Sequence, residues 1–423
     1  MKILHTSDWH LGQNFMGKSR LLEHQALVAW LLERVAADGI ELVIIAGDVF
    51  DTGAPPSYAR ELYNRLVILL RERHCQLLVI AGNHDSVSML NESKSLLACL
   101  DTHVISAANA NDLDSHVLEI TDNTGTVAVI VCAVPFIRPK DLLTSEAGQD
   151  EKTKKQSLLT QIGDFYRALF ERAQSLQQKH THYVPIIGTG HLTSLGASIS
   201  ESVREIYVGT LESVPVELFP AFDYLALGHI HRAQTVAGLD HIRYSGSPIP
   251  LSFDELAREK TLVLLDTSVR TEGNKLIPEL LSIPRFQRLL SVSGTLPEVL
   301  ADIAAEVTVA DQQAGADSLA PLWLEVRITA DDYLSDLHKS LQEAMADKPI
   351  ELLRVIRQAK TATAIQPPQT QTTLAELTVT EVFERCLDAA VGQEEDMIKQ
   401  ALLVAFNESL VAVQSALQGD ETL

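Results

Sequence analysis

Twice in the first 85 residues an unbroken apolar run stops at a glycine followed by a side chain that can hold a metal. Glu41–Ala46 (ELVIIA) leads into Gly47-Asp48, and Gln76–Ala81 (QLLVIA) leads into Gly82-Asn83. A strand that is apolar at every position must be covered on both faces, which points to an α/β fold with a sheet flanked by helices. The intervening segments fit. Arg20–Ala37 carries Leu21, Leu22, Leu27, Val28, Leu31 and Leu32 on one broad helical face, and a second helix over Ser57–Arg73 follows Pro55-Pro56. Further strands are expected at Lys2–Ser7, Val127–Val134, Val184–Thr189, Tyr224–Leu227, Ile242–Tyr244 and Thr261–Leu265, with a long helix over Lys152–Gln178.

From about residue 281 the pattern becomes a strand–helix–strand–helix–strand unit: Arg288–Val292, Leu296–Val307, Leu322–Ile328, Tyr333–Met345 and Glu351–Ile356. The expected division is therefore a main domain over 1–275, a small α/β capping domain over 281–358, a linker over 361–373 and a helical tail over 374–423. The linker (TATAIQPPQTQTT) lacks periodicity and carries two prolines. In the tail, Val379, Phe383, Cys386, Leu387 and Ala390 form one apolar stripe, and Leu403, Phe406, Leu410, Val413 and Leu417 another. Such helices either fold back on their own protein or dock on a partner helix or coiled coil, and docking is the preferred reading.

At 423 residues with 46% apolar, the chain is not a disordered one. No stretch reaches the roughly 18–20 apolar residues of a membrane span, and MKILHTSD falls short of a signal peptide, so a soluble cytoplasmic protein is expected. The four cysteines, Cys75, Cys99, Cys132 and Cys386, have no zinc-finger spacing and read as small apolar core residues. A net charge of −22 argues against wrapping nucleic acid on the chain's own surface. A nucleic-acid function would need divalent metals, or a second subunit, to supply positive charge.

The chemistry concentrates at five strand ends: Asp8-Trp9-His10, Gly47-Asp48-Val49-Phe50-Asp51, Gly82-Asn83-His84-Asp85, Gly190-His191 and Gly228-His229-Ile230-His231. Ligands of α/β sheets sit beyond the carboxyl ends of strands, so five such ends can meet. Carboxylate, amide and imidazole without thiolate suit hard to borderline divalent metals, and a carboxylate between two ions can bridge them. The glycines before Asp48, Asn83, His191 and His229 suggest backbone freedom where each strand turns. One motif alone reads as structural; the five in this order do not, since so much buried polarity has no packing role. Gly12–Ser19 (GQNFMGKS) also matches a phosphate loop, which would make the chain an ATPase. Yet Asp8-Trp9-His10-Leu11 stand between the strand and its first glycine, and the other motifs would have no use. Lys18 and Arg20 are read instead as charges at the rim of the metal site that contact DNA phosphate, or as a solvated helix start.

The ordered set resembles the calcineurin-like metallophosphoesterases, and in detail the family's nuclease subunits that work with an SbcC-type ATPase. The likeness runs from Asp8 through the small domain to the acidic tail and includes Tyr244-Ser245-Gly246-Ser247-Pro248 and Gly209-Thr210-Leu211. It implies a metallophosphoesterase sandwich of sheets flanked by helices, with Asp8, His10 and His231 on one metal, Asn83, His191 and His229 on the other, and Asp48 bridging. It further implies that His84 is no ligand but assists the leaving oxygen, its ring oriented by Asp51, and that the two metals are manganese. The protein phosphatases of the superfamily have Arg after the residue matching Asp51; here Thr52-Gly53 follow, which favours a diester over a phosphoprotein. The resemblance implies double-strand 3′–5′ exonuclease and single-strand or hairpin endonuclease activity on DNA in repair and recombination. Its implied assembly is a homodimer within a heterotetramer, the ATPase docked on the C-terminal helices. Leu21, Leu22 and Leu66 are candidate dimer contacts, although burial in the monomer core is the preferred reading of any one of them. A small-molecule or nucleotide phosphodiesterase is the alternative, although such an enzyme needs no linker and tail.

Overall fold

The computed structural model describes residues 1–142, 151–194, 213–271, 273, 275–313, 321–328, 341, 343, 345, 346 and 348–357. Gly209-Thr210-Leu211, most of the helix expected at Tyr333–Met345, the linker and the tail with Cys386 lie outside the described residues. In chain order come β1 (Lys2–Thr6), β2 (Asn14–Phe15), β3 (Lys18–Ser19), α1 (Leu21–Asp38), β4 (Leu42–Ala46), α2 (Ser57–Glu72), β5 (Gln76–Ile80), α3 (Val87–Glu92), α4 (Lys94–Ala98) and β6 (Thr102–Ile105). These are followed by β7 (Val117–Thr121), β8 (Val127–Cys132), α5 (Pro139–Leu142), α6 (Glu151–Gln177), β9 (Ile186–His191), β10 (Tyr224–Gly228), β11 (Gln234–Val236) and β12 (Leu239–Tyr244). The last are β13 (Lys260–Asp266), β14 (Glu279–Ile283), β15 (Leu289–Gly294), α7 (Leu296–Gln313), β16 (Leu322–Ile328) and β17 (Ile350–Arg357).

Two six-stranded sheets carry the main domain, ordered β14-β13-β1-β4-β5-β6 and β11-β12-β10-β9-β8-β7. β1, β4, β5 and β6 run parallel in the first, and β8, β9, β10 and β12 in the second. The unbroken apolar runs now have their cause. In β4, Leu42, Ile44 and Ala46 face the other sheet, meeting Val129, Val131, Ile187 and Ala226, while Val43 and Ile45 face Leu27 and Leu31 of α1 and Leu66 of α2. Helix α6 covers the outer face of the second sheet through Ile162, Phe165, Tyr166 and Leu169. A double layer of sheets between helices leaves no strand face to solvent at its centre. β14 pairs with β13 and so carries the first sheet on to Ile283, past the boundary expected at 275.

The three parallel strands β15-β16-β17 have their own core of Val292, Val299, Ile303, Leu324, Val326 and Ile328. Gly12–Ser19 is no phosphate loop. β2 and β3 pair antiparallel about Met16 (φ 49°) and Gly17 (φ 87°), the doubly left-handed turn that suits a two-residue hairpin, so backbone that would cradle phosphate is committed to a ladder. The ribbon buries Phe15 against Phe253, Leu289 and Trp323. Cys75 and Cys132 are buried as expected, whereas Cys99, at the end of the short α4, is exposed. Among the described residues no helix is long and apolar enough to cross a membrane.

Candidate metal centre

The parallel ladder between β1 and β4 continues past the strand ends and fixes the first two motifs to each other. The backbone N–H groups of Asp8, His10 and Leu11 donate to the carbonyls of Gly47 (3.0 Å), Asp48 (3.0 Å) and Val49 (2.8 Å). Asp85 ties in the third motif: its carboxylate accepts from the backbone N–H of Gly82 (2.8 Å), Phe50 (3.0 Å) and Val49 (3.2 Å). Links then cross between motifs. Asp8 Oδ1 accepts the N–H of His229 at 2.9 Å, Asp48 Oδ1 accepts that of His84 at 2.8 Å, and His191 Nδ1–H donates to the Ala46 carbonyl at 2.9 Å.

Asp8 (φ 55°), His10 (46°), Asp48 (50°) and His229 (96°) all have positive φ, a cost of about 1–3 kcal/mol each that only such over-determined loops sustain. Gly47 (φ 91°) has the backbone freedom expected of it. At Gly82 and Gly228 the reason is space: a Cβ there would collide with the Asp48 carboxylate and the Ala46 carbonyl.

Two buried groups result. Ligand atoms of Asp8, His10 and His231 lie within 4.8 Å of one another, as do those of Asp48, His191 and His229. Asn83 joins the second, its Oδ1 2.9 Å from His191 Nε2 and 3.2 Å from His229 Nδ1. Asp48 Oδ2 stands between the groups, 3.2 Å from His191 Nε2 and 3.7 Å from His10 Nε2. Two details fit divalent cations. His10 Nε2 is buried, makes no hydrogen bond and is turned toward Asp48. With Nδ1–H of His191 given to a carbonyl, its Nε2 lone pair faces the oxygens of Asp48 and Asn83, an arrangement that a cation or a proton must reconcile.

The electrostatics agree. Against burial, which lowers it, the carboxylates of Asp48 and Asp8 push His191 up to about 9. Burial is likewise outweighed at His10, raised by its hydrogen bond to Asp51 and the charge of Asp48. Despite its burial, Asp48 is held well below the usual carboxylate range by His191, His10 and His84. The field that draws protons onto these imidazoles is the field that attracts a divalent cation. Burial and the nearby charge of Asp48 push Asp85 up to about 6.

His84 lies beside the first group, its ring centroid 4.7 Å from that of His10. The backbone carbonyl of Asp51 accepts from His84 Nδ1–H at 2.7 Å, and its carboxylate meets His10 Nδ1 at 3.0 Å, with ligand atoms of His10, Asp51 and His84 all within 4.8 Å of one another. The rim reading of Arg20 fails. Its side chain is wholly buried and its guanidinium is committed to Glu23, Gln13 Oε1 and the Pro250 carbonyl, leaving no face for phosphate. Lys18 is part-exposed and paired with Glu351 at 2.7 Å.

Sequence reading missed Asp85, although it ends the Gly-Asn-His-Asp motif, and the groups behind His231. Glu255 Oε1 lies 3.5 Å from His231 Nδ1, and Lys260 Nζ donates to Glu255 Oε2 (2.6 Å) and to the His231 carbonyl (3.0 Å). The Ser245 of the noted Tyr-Ser-Gly-Ser-Pro run meets Ser7 Oγ at 2.8 Å, and Ser7 in turn donates to Asp8 Oδ2 at 2.5 Å.

Comparison with known proteins gives two family matches: Calcineurin-like phosphoesterase over residues 1–233, and Type 5 capsule protein repressor C-terminal domain over residues 285–390. The SbcD component of the SbcCD nuclease of Escherichia coli (strain K12) is 43% identical over 97% of this chain and 98% of its own length. Its counterpart of the same name from Rhodobacter capsulatus is 32% identical over 87% of this chain and 91% of its own, and the one from Bacillus subtilis 29% over 80% and 82%.

Proposed function

The chain belongs to the calcineurin-like phosphoesterase family, and we propose that it is the nuclease subunit of an SbcCD-type complex, a metal-dependent phosphodiesterase that cuts DNA. The observation that carries this reading is the pair of buried ligand groups meeting at Asp48 with His84 beside them. Asp8, His10 and His231 would hold one metal, Asn83, His191 and His229 the other, with Asp48 shared between them. Bound there, two divalent ions, manganese by preference, would supply an acidified water and neutralise charge on the phosphoryl oxygens. The protein's own part is to hold the seven ligands and deliver a proton. His84, its ring fixed by Nδ1–H donation to the Asp51 carbonyl, uses Nε2 to protonate the departing sugar oxygen. With Thr52 where a phosphatase has its phosphate-gripping arginine, the site favours a diester.

The finer reading is double-strand 3′–5′ exonuclease and hairpin endonuclease action in the cytoplasm, as a homodimer joined to an SbcC-type ATPase through residues 374–423. The charge of −22 supports this division, since the ATPase would bring most of the affinity for DNA. A second copy is supported by the exposed Ile68 and Leu96 and by the cleft lined by Leu69, Met89 and Leu97 on α2, α3 and α4. Leu66 is fully buried and takes no part, whereas Leu22 is exposed. The test is cleavage of an end-labelled DNA hairpin with manganese, by the full chain alone and with the ATPase, Asp48→Ala serving as control. Metal-dependent cleavage that the control lacks is expected; no cleavage under any condition overturns the reading.

A further inference from the structure

We propose that Glu255, held by Lys260, is the positioning residue of His231, so that a buried ion pair outside the ligand set fixes the affinity of the first metal group. This rests on the reading of His231 as a ligand.

Glu255 closes the short 3₁₀ turn Phe253–Glu255 and is 3% exposed. Its two oxygens are used differently. Oε2 is filled by Lys260 Nζ (2.6 Å), the Leu251 N–H (3.0 Å) and Ser247 Oγ (3.3 Å). Oε1 meets Ser252 Oγ at 3.3 Å and faces His231 Nδ1 at 3.5 Å. Lys260 Nζ donates also to the His231 carbonyl (3.0 Å) and to Ser247 Oγ (2.7 Å). One ammonium thus fixes both the backbone of His231 and the carboxylate behind its ring.

A ligating imidazole gives one nitrogen to the metal and its other N–H to an acceptor, which sets the tautomer, the ring angle and the basicity of the ligand. With Nδ1–H directed at Glu255, Nε2 becomes the ligating atom. A buried ion pair is poor evidence of stabilisation, because apolar side chains of the same volume often do as well. Its placement against His231 gives it a use that packing does not.

Calorimetric titration of manganese into the folded full-length chain separates the possibilities, with circular dichroism as the check on folding. Glu255→Gln is expected to weaken one of the two manganese sites about 10- to 100-fold and leave the other at wild-type affinity, with kcat recovering at saturating manganese. His231→Ala is expected to lose the same site. Wild-type binding by Glu255→Gln alongside impaired binding by His231→Ala overturns the positioning role alone. Wild-type binding by His231→Ala overturns the ligand reading and this proposal with it. Should an uncompensated Lys260 keep Glu255→Gln from folding, the double variant Glu255→Gln/Lys260→Met removes both charges, and its titration is judged by the same outcomes.

Discussion

His10 and His231 each have a carboxylate behind the ring, Asp51 Oδ1 at 3.0 Å and Glu255 Oε1 at 3.5 Å, whereas His191 in the second group leans on the peptide carbonyl of Ala46 at 2.9 Å. The difference follows from where the groups sit. The second lies between the carboxyl ends of β4 and β9, where the backbone of one sheet meets the side chains of the other. The first is enclosed by the loops after β1, β4, β10 and β12, which can present carboxylates. A carboxylate raises the basicity of the imidazole it accepts from, and a peptide carbonyl does so less. His10 and His231 are therefore open to adjustment by side-chain substitution, and His191 is held by the main chain.

Asp48 stands between the two groups, and on the proposed bridging role its loss is the largest expected effect. Asp48→Ala should reduce cleavage about 10³-fold or more, the scale of removing a buried electrostatic element. It should also impair both manganese sites in a titration. Retention of one site at wild-type affinity would show that Asp48 serves a single group. Next in size is His84→Asn, expected to lower kcat by about 10²-fold or more while both metals bind as before. Parallel loss of metal would make His84 a ligand and redraw the first group.

How far the sequence reached follows the same divide. Runs such as ELVIIA and QLLVIA were legible because burial on both faces leaves no polar alternation, and the motifs after them because polar clusters at strand ends have no packing role. What supports the proposed ligands was hidden by distance along the chain. Lys260 lies 29 positions from His231 and meets it only because β13 returns beside the loop from Ser245 to Glu255. Arg20 reads as a rim charge beside Lys18 until the fold brings the Pro250 carbonyl, 230 positions away, onto its guanidinium. Glycine was read for freedom, yet Gly82 and Gly228 answer to the close approach of a second chain segment, which no local pattern encodes.

Asp51 gives the finest test of the comparison, because two roles compete for one residue. Its carboxylate faces His10, and its backbone carbonyl takes the proton of His84 Nδ1. Asp51→Asn keeps that carbonyl and removes the charge. If the carboxylate serves His10, the variant should bind the first metal about 10- to 100-fold more weakly, and kcat should recover once manganese saturates the site. If it serves His84 instead, the variant should resemble His84→Asn, with both metals bound and turnover low at any manganese concentration. Titration and steady-state kinetics at rising manganese distinguish the two. The first pattern keeps the carboxylate-backed group distinct from the carbonyl-backed one, and the second dissolves that distinction at His10.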